Sequence, residues 1–317
     1  MTYLFVFTIL LVGFKAYTFA ANRWNIIDKP NKRSSHSSIT VRGGGIIFPL
    51  AAILWFLIFG FQYPLTIIGL IIVAIISFLD DIYTLSRWIR MFFHFLAVSL
   101  LFLEVSVMDL SWYYLLPAYF VFIGWINAFN FMDGINGITP LYSLAALGTF
   151  LYLTSDSNFI STDFIKIVSI SVLIFAFFNS RKRAKAFAGD VGSVSMAFLL
   201  GWFMVALILS TQRLEYILFF AVYGLDSAFT ILHRLMKKEN IFKAHRSHLY
   251  QFLANEINLP HVTVSALYAG AQLIINCIVI MMIRADLMNY ALFIGILLML
   301  SGLYLFARSR VLKVIAG

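Results

Sequence analysis

A chain of 317 residues that is 62% hydrophobic and only 12% charged, with a mean hydropathy of +0.92, cannot be an ordinary water-soluble globule. Its formal net charge of +9 would suggest nucleic acid in a soluble protein. In so apolar a chain, basic loops retained on the cytoplasmic face of a membrane are the simpler source, and no nucleic-acid partner is expected. The single cysteine, Cys277, lies in an apolar run, which excludes a disulfide framework and a cysteine-based zinc site within one chain.

Apolar runs of near-spanning length recur from end to end. The first, 3–20, lacks a basic leading segment and carries Lys15 inside the run, so it reads as a retained span and not a cleaved signal. A polar stretch with Asp28, Lys29, Asn31, Arg33 and His36 follows, then Arg42-Gly43-Gly44-Gly45. Basic side chains before three glycines suit a phosphate clamp; the plainer reading is a flexible positive loop. Spans at 46–61 and 64–79 are joined by the turn Phe61–Pro64, and the second ends in Asp80-Asp81. Before and within the span 89–104, Arg87, Arg90 and His94 share one helical face. Paired acids there suit a divalent cation or proton abstraction, against a solvated acidic turn balanced by Arg87.

The span 112–129 runs into Asn127, Asn130, Asp133, Gly134, Asn136 and Gly137. Asn127, Asn130 and Asp133 recur at helical spacing, so two amides and a carboxylate face one way at a span end, where a merely capped helix would need none of them. Spans at 138–154 and 164–179 lead to the basic run Arg181–Lys185 and to Phe187-Ala188-Gly189-Asp190-Val191-Gly192-Ser193. Here Ser193 is expected to cap the span 193–210. The N-terminus of that span offers partial positive charge to a phosphate, Asp190 a ligand to a metal, and Phe187 a stacking face to a base. After the spans 193–210 and 214–231 come the basic stretch Lys237–Lys243 and His245-Arg246-Ser247-His248, whose side chains suit a diphosphate. Spans at 262–283 and 289–306 complete about eleven transmembrane helices of an all-α integral membrane protein, a single polytopic domain over 1–317.

Loop charge sets the expected orientation. With the N-terminus outside, nineteen of the 23 Lys and Arg residues fall in cytoplasmic segments, and only Lys166, Arg213 and Arg284 fall outside. That asymmetry predicts a cytoplasmic C-terminus and puts every polar cluster described above at the cytoplasmic face. Carboxylates at membrane-helix ends are costly unless they hold a metal, a substrate or a partner charge, so an active site is expected there.

In this order the motifs resemble those of the polyprenyl-phosphate N-acetylhexosamine-1-phosphate transferases, the MraY- and WecA-like enzymes of glycosyltransferase family 4. The resemblance covers Asp28–Gly45, Asp80-Asp81, Asn127–Gly137, Gly189–Ser193 and His245–Gln251, and the last stretch looks most like the O-antigen and capsule branch. It implies transfer of an N-acetylhexosamine 1-phosphate, or of a 6-deoxy relative, from a UDP-sugar to undecaprenyl phosphate with release of UMP. It further implies magnesium as cofactor (manganese as the alternative), the bacterial inner membrane as location, and compatibility with a homodimer. By the same resemblance Asp190 and Asp133 are metal ligands, and Asp80, Asp81 and Asp133 the catalytic acids. Asn127, Asn130, Asn136, Phe187, Arg42, Arg87, His245, Arg246 and His248 are substrate-binding. Two positions depart from the pattern: Asn136 stands where many relatives have aspartate, and Val41 where proline is common before the glycines. A secondary transporter is the competing class, and it would place its ionisable groups near mid-membrane.

Overall fold

A computed structural model describes residues 1–30, 35, 38–240 and 245–316. The basic segment around Asn31, Arg33 and His36, and Lys243, lie outside the described residues. The chain is an all-α membrane protein. Its helices are α1 (Thr2–Arg23), α2 (Ile47–Ile58), α3 (Pro64–Tyr83), α4 (Arg87–Glu104), α5 (Trp112–Met132), α6 (Ile138–Ser157) and α7 (Thr162–Asn179). They continue as α8 (Gly189–Thr211), α9 (Ala221–Met236), the short α10 (Leu249–Gln251), α11 (His261–Arg284) and α12 (Tyr290–Ala316).

Every expected span has a helical counterpart, but not all are alike. Among the described residues nine helical segments are long and apolar enough to cross a membrane, counting Leu214–Met236 as one. The helical stretch Gly44–Ile58 is shorter, and α4 carries Arg87, Arg90 and Glu104. Glu104 is not idle at its end of the bundle. Its carboxylate accepts from the backbone N–H groups of Leu65 and Thr66, at 2.5 and 3.1 Å, and so caps α3 from outside. Pro64 at the first turn of α3 leaves one orphan donor fewer there.

Successive spans run in opposite directions, so α3, α5, α7 and α9 end where α4, α6, α8 and α11 begin. Asp80-Asp81, Asp133, Asp190 and the His245–Gln251 loop therefore lie at one end of the bundle. The helix α8 is the axis of the packing, 83% buried, and contacts α2, α3, α5 and α6. By contrast α12 is 6% buried and presents an apolar surface outward. Close approach of α3 and α4 rests on Gly69, where a Cβ would meet the Ala97 carbonyl at 2.8 Å.

The segment Leu214–Phe220 is a 3-10 helix that breaks against α9 at Phe220. Buried Gln272 repairs the break. Its Oε1 accepts from Val222 N (2.9 Å) and Tyr142 Oη (2.8 Å), while its Nε2 donates to Leu218 O (2.9 Å) and Asn276 (2.7 Å). With no water to take these groups, an internal amide is what makes a broken helix tolerable in a membrane.

Candidate functional site

The site begins with two loops locked together. Strand Thr40–Val41 pairs antiparallel with Ile27–Asp28 and meets Ala186 in parallel on its other side. Phe187 N donates to Val41 O (2.8 Å), and Gly44 N and Gly45 N donate back to Phe187 O (2.8 Å) and Ala188 O (3.0 Å). The three glycines are therefore packing elements and not the phosphate clamp expected of them. A Cβ on Gly45 would meet the Cα of Gly192 at 2.2 Å, and the N–H groups of Gly44 and Gly45 are already spoken for. The seam fixes Arg42, whose carbonyl also accepts from Tyr17 Oη at 2.6 Å.

Arg42 enters a cluster with Asp80, Asp81, Asp190 and Arg90. Arg42 Nε meets Asp81 Oδ1 at 2.7 Å, and its Nη2 lies 3.9 Å from Asp190. Arg90 Nη1 pairs with Asp80 at 2.7 Å and reaches Asp190 at 3.5 Å. Asp80 also accepts from Leu85 N at 2.5 Å, which closes the turn after α3. Asp81 is consumed differently. Its two oxygens accept from Asp190 N (2.9 Å) and Val191 N (3.1 Å), the first free N–H groups of α8. A carboxylate from α3 thus caps α8 across the bundle, favoured by the helix dipole.

That cap corrects two expectations about α8. The helix starts at Gly189, four residues before the expected Ser193 cap, and the Asp190 and Val191 N–H groups in its first turn are taken by Asp81 and are not open to a phosphate. Gly189 sits at φ 69°, where a Cβ would lie 2.5 Å from Asp81 Oδ2, so only glycine fits the approach. Ser193 lies within the helix and donates to Asn130 Oδ1 at 2.5 Å, tying α8 to α5.

The α5 end lies beside this cluster. Asp133 follows the last residue of α5 and accepts from Thr139 Oγ1. Burial pushes its carboxyl up to about 6, the hydrogen bond from Thr139 opposes this, Asp81 adds a further upward push, and the charge of Arg42 pulls it down. Asn127 turns back to its own helix, donating to Ile123 O at 2.8 Å. Asn136 is buried and holds the Arg181 and Lys182 carbonyls, at 2.8 and 3.4 Å, so its amide braces the turn after α7. Phe187 is half-buried beside the Arg42 seam. Arg87 is exposed, with its guanidinium 5.2 Å from the Trp88 ring centre; it is Arg90 that joins the carboxylates.

The His245–Gln251 loop forms a second group. His245 and His248 are not on a helix, yet their rings stack at 5.0 Å, each 6.4 Å from Phe131 at the end of α5. Burial above all lowers His245 to about 4, so its imidazole is neutral. Half-buried Arg246 lies between the two histidines. Tyr250 Oη donates to Phe131 O at 2.9 Å and sits where a Cβ on Gly134 would fall. This loop is therefore seated against the Asp133 turn. What seats it is Asp226 of α9, fully buried, which accepts from Leu249 N (3.1 Å), Tyr268 Oη (2.6 Å) and Tyr304 Oη (3.0 Å) and faces His248 Nδ1 at 3.3 Å.

Arg90 and Asp226 are the site residues that the motif reading passed over as binding groups. Asp226 had a usable signal: a lone acid inside an apolar run is expensive, and so implies a partner. Arg90 had a weaker one, its place on the same face as Arg87.

Comparison with known proteins gives a consistent result. A family model described as "Glycosyl transferase family 4" matches residues 63–208. The chain is 26% identical over 255 residues to a probable undecaprenyl-phosphate N-acetylglucosaminyl 1-phosphate transferase of Bacillus subtilis, covering 72% of this chain and 69% of the relative. It is 27% identical over 278 residues to the undecaprenyl-phosphate alpha-N-acetylglucosaminyl 1-phosphate transferase of Escherichia coli, covering 79% and 74%. A phospho-N-acetylmuramoyl-pentapeptide-transferase of Thermotoga maritima is 28% identical over 208 residues, covering 60% and 67%.

Proposed function

The chain belongs to glycosyl transferase family 4, and from that premise we propose that it moves a sugar 1-phosphate from a UDP-sugar to undecaprenyl phosphate, with release of UMP. The sugar is an N-acetylhexosamine or a 6-deoxy relative, and the product starts a lipid-linked polysaccharide such as O-antigen. The observation that carries this reading is the convergence of Asp80, Asp81 and Asp190 with Arg42 and Arg90 at one end of the bundle. By the loop charges, that end faces the cytoplasm of a bacterial inner membrane.

The donor set fits magnesium. Among the described residues no three His, Cys, Asp or Glu groups form a ready-made metal cage. Magnesium asks for less: one or two carboxylates, with waters and substrate phosphates completing the shell. Asp190 is the carboxylate with room to serve. Its side chain is 22% exposed and its ion pairs are long, whereas Asp81 is fully engaged with Arg42 and the α8 amides. Asp133, at the adjoining helix end, is the second candidate ligand. When bound, the cation would neutralise the diphosphate and stabilise the departing UMP.

The chain's own residues then do the following. Arg42 and Arg90, held ready by carboxylates, turn to phosphate oxygens as the substrates arrive. An oxygen of the lipid phosphate attacks the sugar-bearing phosphorus. A new P–O bond forms, and the bond to the bridging oxygen breaks with its electrons leaving on UMP. Of the expected catalytic pair, Asp80 orients the lipid phosphate or takes its residual proton once Arg90 turns away, while Asp81 keeps its hold on the α8 N-terminus and positions Arg42. Phe187 stacks on the base, Asn127 and Asn130 line the nucleotide side, and Asn136 acts through the Arg181–Lys182 turn. Arg87, His245, Arg246 and His248 meet the sugar or diphosphate. An apolar cavity of about 680 Å³ lies between α4, α5, α8 and the Leu214–Phe220 segment, with Phe102, Phe122, Trp125 and Phe220 in its walls; it lies in the half of the bundle away from the carboxylates, so it would take only the far part of the isoprenoid tail.

A transporter reading gains nothing from this geometry, because the clustered carboxylates occupy terminal turns and not mid-membrane positions. The test is purified protein with undecaprenyl phosphate, magnesium and a panel of UDP-sugars, read as UMP release and lipid-linked product. Folded protein that yields no product with any sugar overturns the proposal.

A further inference from the structure

We infer that Asp226 is a positioning residue for this reaction: it fixes the tautomer of His248 and thereby what that imidazole can offer a substrate. The inference rests on the transferase reading above for its function, but its structural half stands alone.

The argument is one of donors. Asp226 is 0% exposed and receives N–H or O–H groups from Leu249, Tyr250, Tyr268, Tyr304 and Thr230, between 2.6 and 3.5 Å. A carboxylate met by this many donors is ionised and can only accept. The atom 3.3 Å from its Oδ1 is His248 Nδ1, which must therefore carry a proton and donate. In the neutral ring Nε2 is then a bare acceptor. That Nε2 is buried and has no hydrogen-bond partner among the described residues. A buried polar atom without a partner calls for an explanation, and this one lies in the loop seated against the Asp133 turn.

The surroundings indicate what that is. Nothing else pins the ring so firmly: His248 N is held by Gln251 Oε1 (3.2 Å), and Nδ1 by Asp226. The ring lies under His245 and beside Phe131, two residues before Asp133. A group that rotates His245 aside would present a hydroxyl or amide N–H to Nε2. Among the proposed substrates such neutral donors are the sugar's hydroxyls and N-acetyl N–H and the ribose hydroxyls and uracil N–H of the nucleotide, and not the phosphates, which are acceptors. Asp226 would thus tune recognition of the UDP-sugar through His248, without touching it.

The experiment uses full-length protein in detergent with Asp226→Asn, His248→Ala and the double variant, together with 15N-imidazole NMR. The wild type should show His248 as the Nδ1–H tautomer. In Asp226→Asn the amide can donate to Nδ1, so the tautomer should switch to Nε2–H. The variant's kcat/KM for UDP-sugar should fall about 10- to 100-fold, the range seen when the partner that orients a functional imidazole is lost. The KM for undecaprenyl phosphate should not move. In a His248→Ala background, Asp226→Asn should cost nothing further. An Nε2–H tautomer in the wild type, or an equal loss with and without His248, overturns the inference. If Asp226→Asn does not fold, His248→Asn replaces it. That side chain keeps an N–H toward Asp226 but lacks Nε2, so full activity would overturn the inference and a 10- to 100-fold loss would support it. Absence of transfer by the wild type would sink the transferase reading, while the NMR result would still decide the tautomer.

Discussion

Asp190 and Asp226 are both carboxylates on helices of an apolar bundle, both near the same end of it, and they are treated in opposite ways. Asp226 is sealed and satisfied, with backbone, tyrosine and histidine donors on both oxygens. Asp190 is partly open, and its two arginine contacts are stretched to 3.5 and 3.9 Å. Burying a charge in a low-dielectric interior is costly, and a full set of hydrogen bonds offsets it only when geometry is good. The closed network therefore holds structure, seating the His245–Gln251 loop. The open one keeps unspent capacity for a ligand. The same residue type serves two ends, and the difference lies in how many donors the neighbours supply.

That contrast makes predictions of opposite character. Asp190→Asn should lower UMP release by more than about 10³-fold, over about 4 kcal/mol of transition-state stabilisation, while detergent melting shifts by no more than about 2 °C. Retention of turnover would remove Asp190 from its proposed place. Asp226→Ala should do the reverse of preserving the fold: it leaves buried donors without an acceptor and should cost about 3–5 kcal/mol in thermal unfolding. A melting curve matching the wild type would show that the closed network is not what seats the loop.

Gly45→Ala probes the scaffold between the two. Its Cβ would collide with Gly192 backbone, so a loss of about 1–3 kcal/mol in stability is expected, with kcat falling as Arg42 moves off Asp81. Unchanged melting would mean that the Gly44–Ala188 seam yields easily. The smallest effect should come at the opposite end, where exposed Arg284 pairs with Asp156 and covers the Tyr152 ring at 4.7 Å. Arg284→Ala should leave the melting temperature essentially unchanged and leave transfer alone. A large loss of activity there would argue that chemistry is not confined to the carboxylate end.

Much of the bundle was legible because apolar run length and loop charge are local properties. Each expected span met a helix, and most helix ends shifted by only a few residues, the exception being α12, which continues ten residues past the expected end to Ala316. The glycines of 43–45 and Ser193 were legible as special but not as to purpose. A glycine that admits a phosphate and one that admits another backbone read alike in sequence. Only the packing of Gly45 on Gly192 separates them. Asn136 likewise reads as a ligand-facing amide until its partners, the Arg181 and Lys182 carbonyls, are known.

By itself the sequence determined that this chain crosses a membrane many times and gathers its acids, amides and histidines at one end, because alternating spans and positive loops leave little choice. Tertiary structure alone decided which acids are occupied. Asp81 caps α8 from 109 residues away, Asp226 reaches across 78 residues to Tyr304, and Arg90 pairs with Asp80. Hydrogen bonds act over about 3 Å, and which groups come that close is settled by how helices pack, a relation that no local stretch of sequence carries.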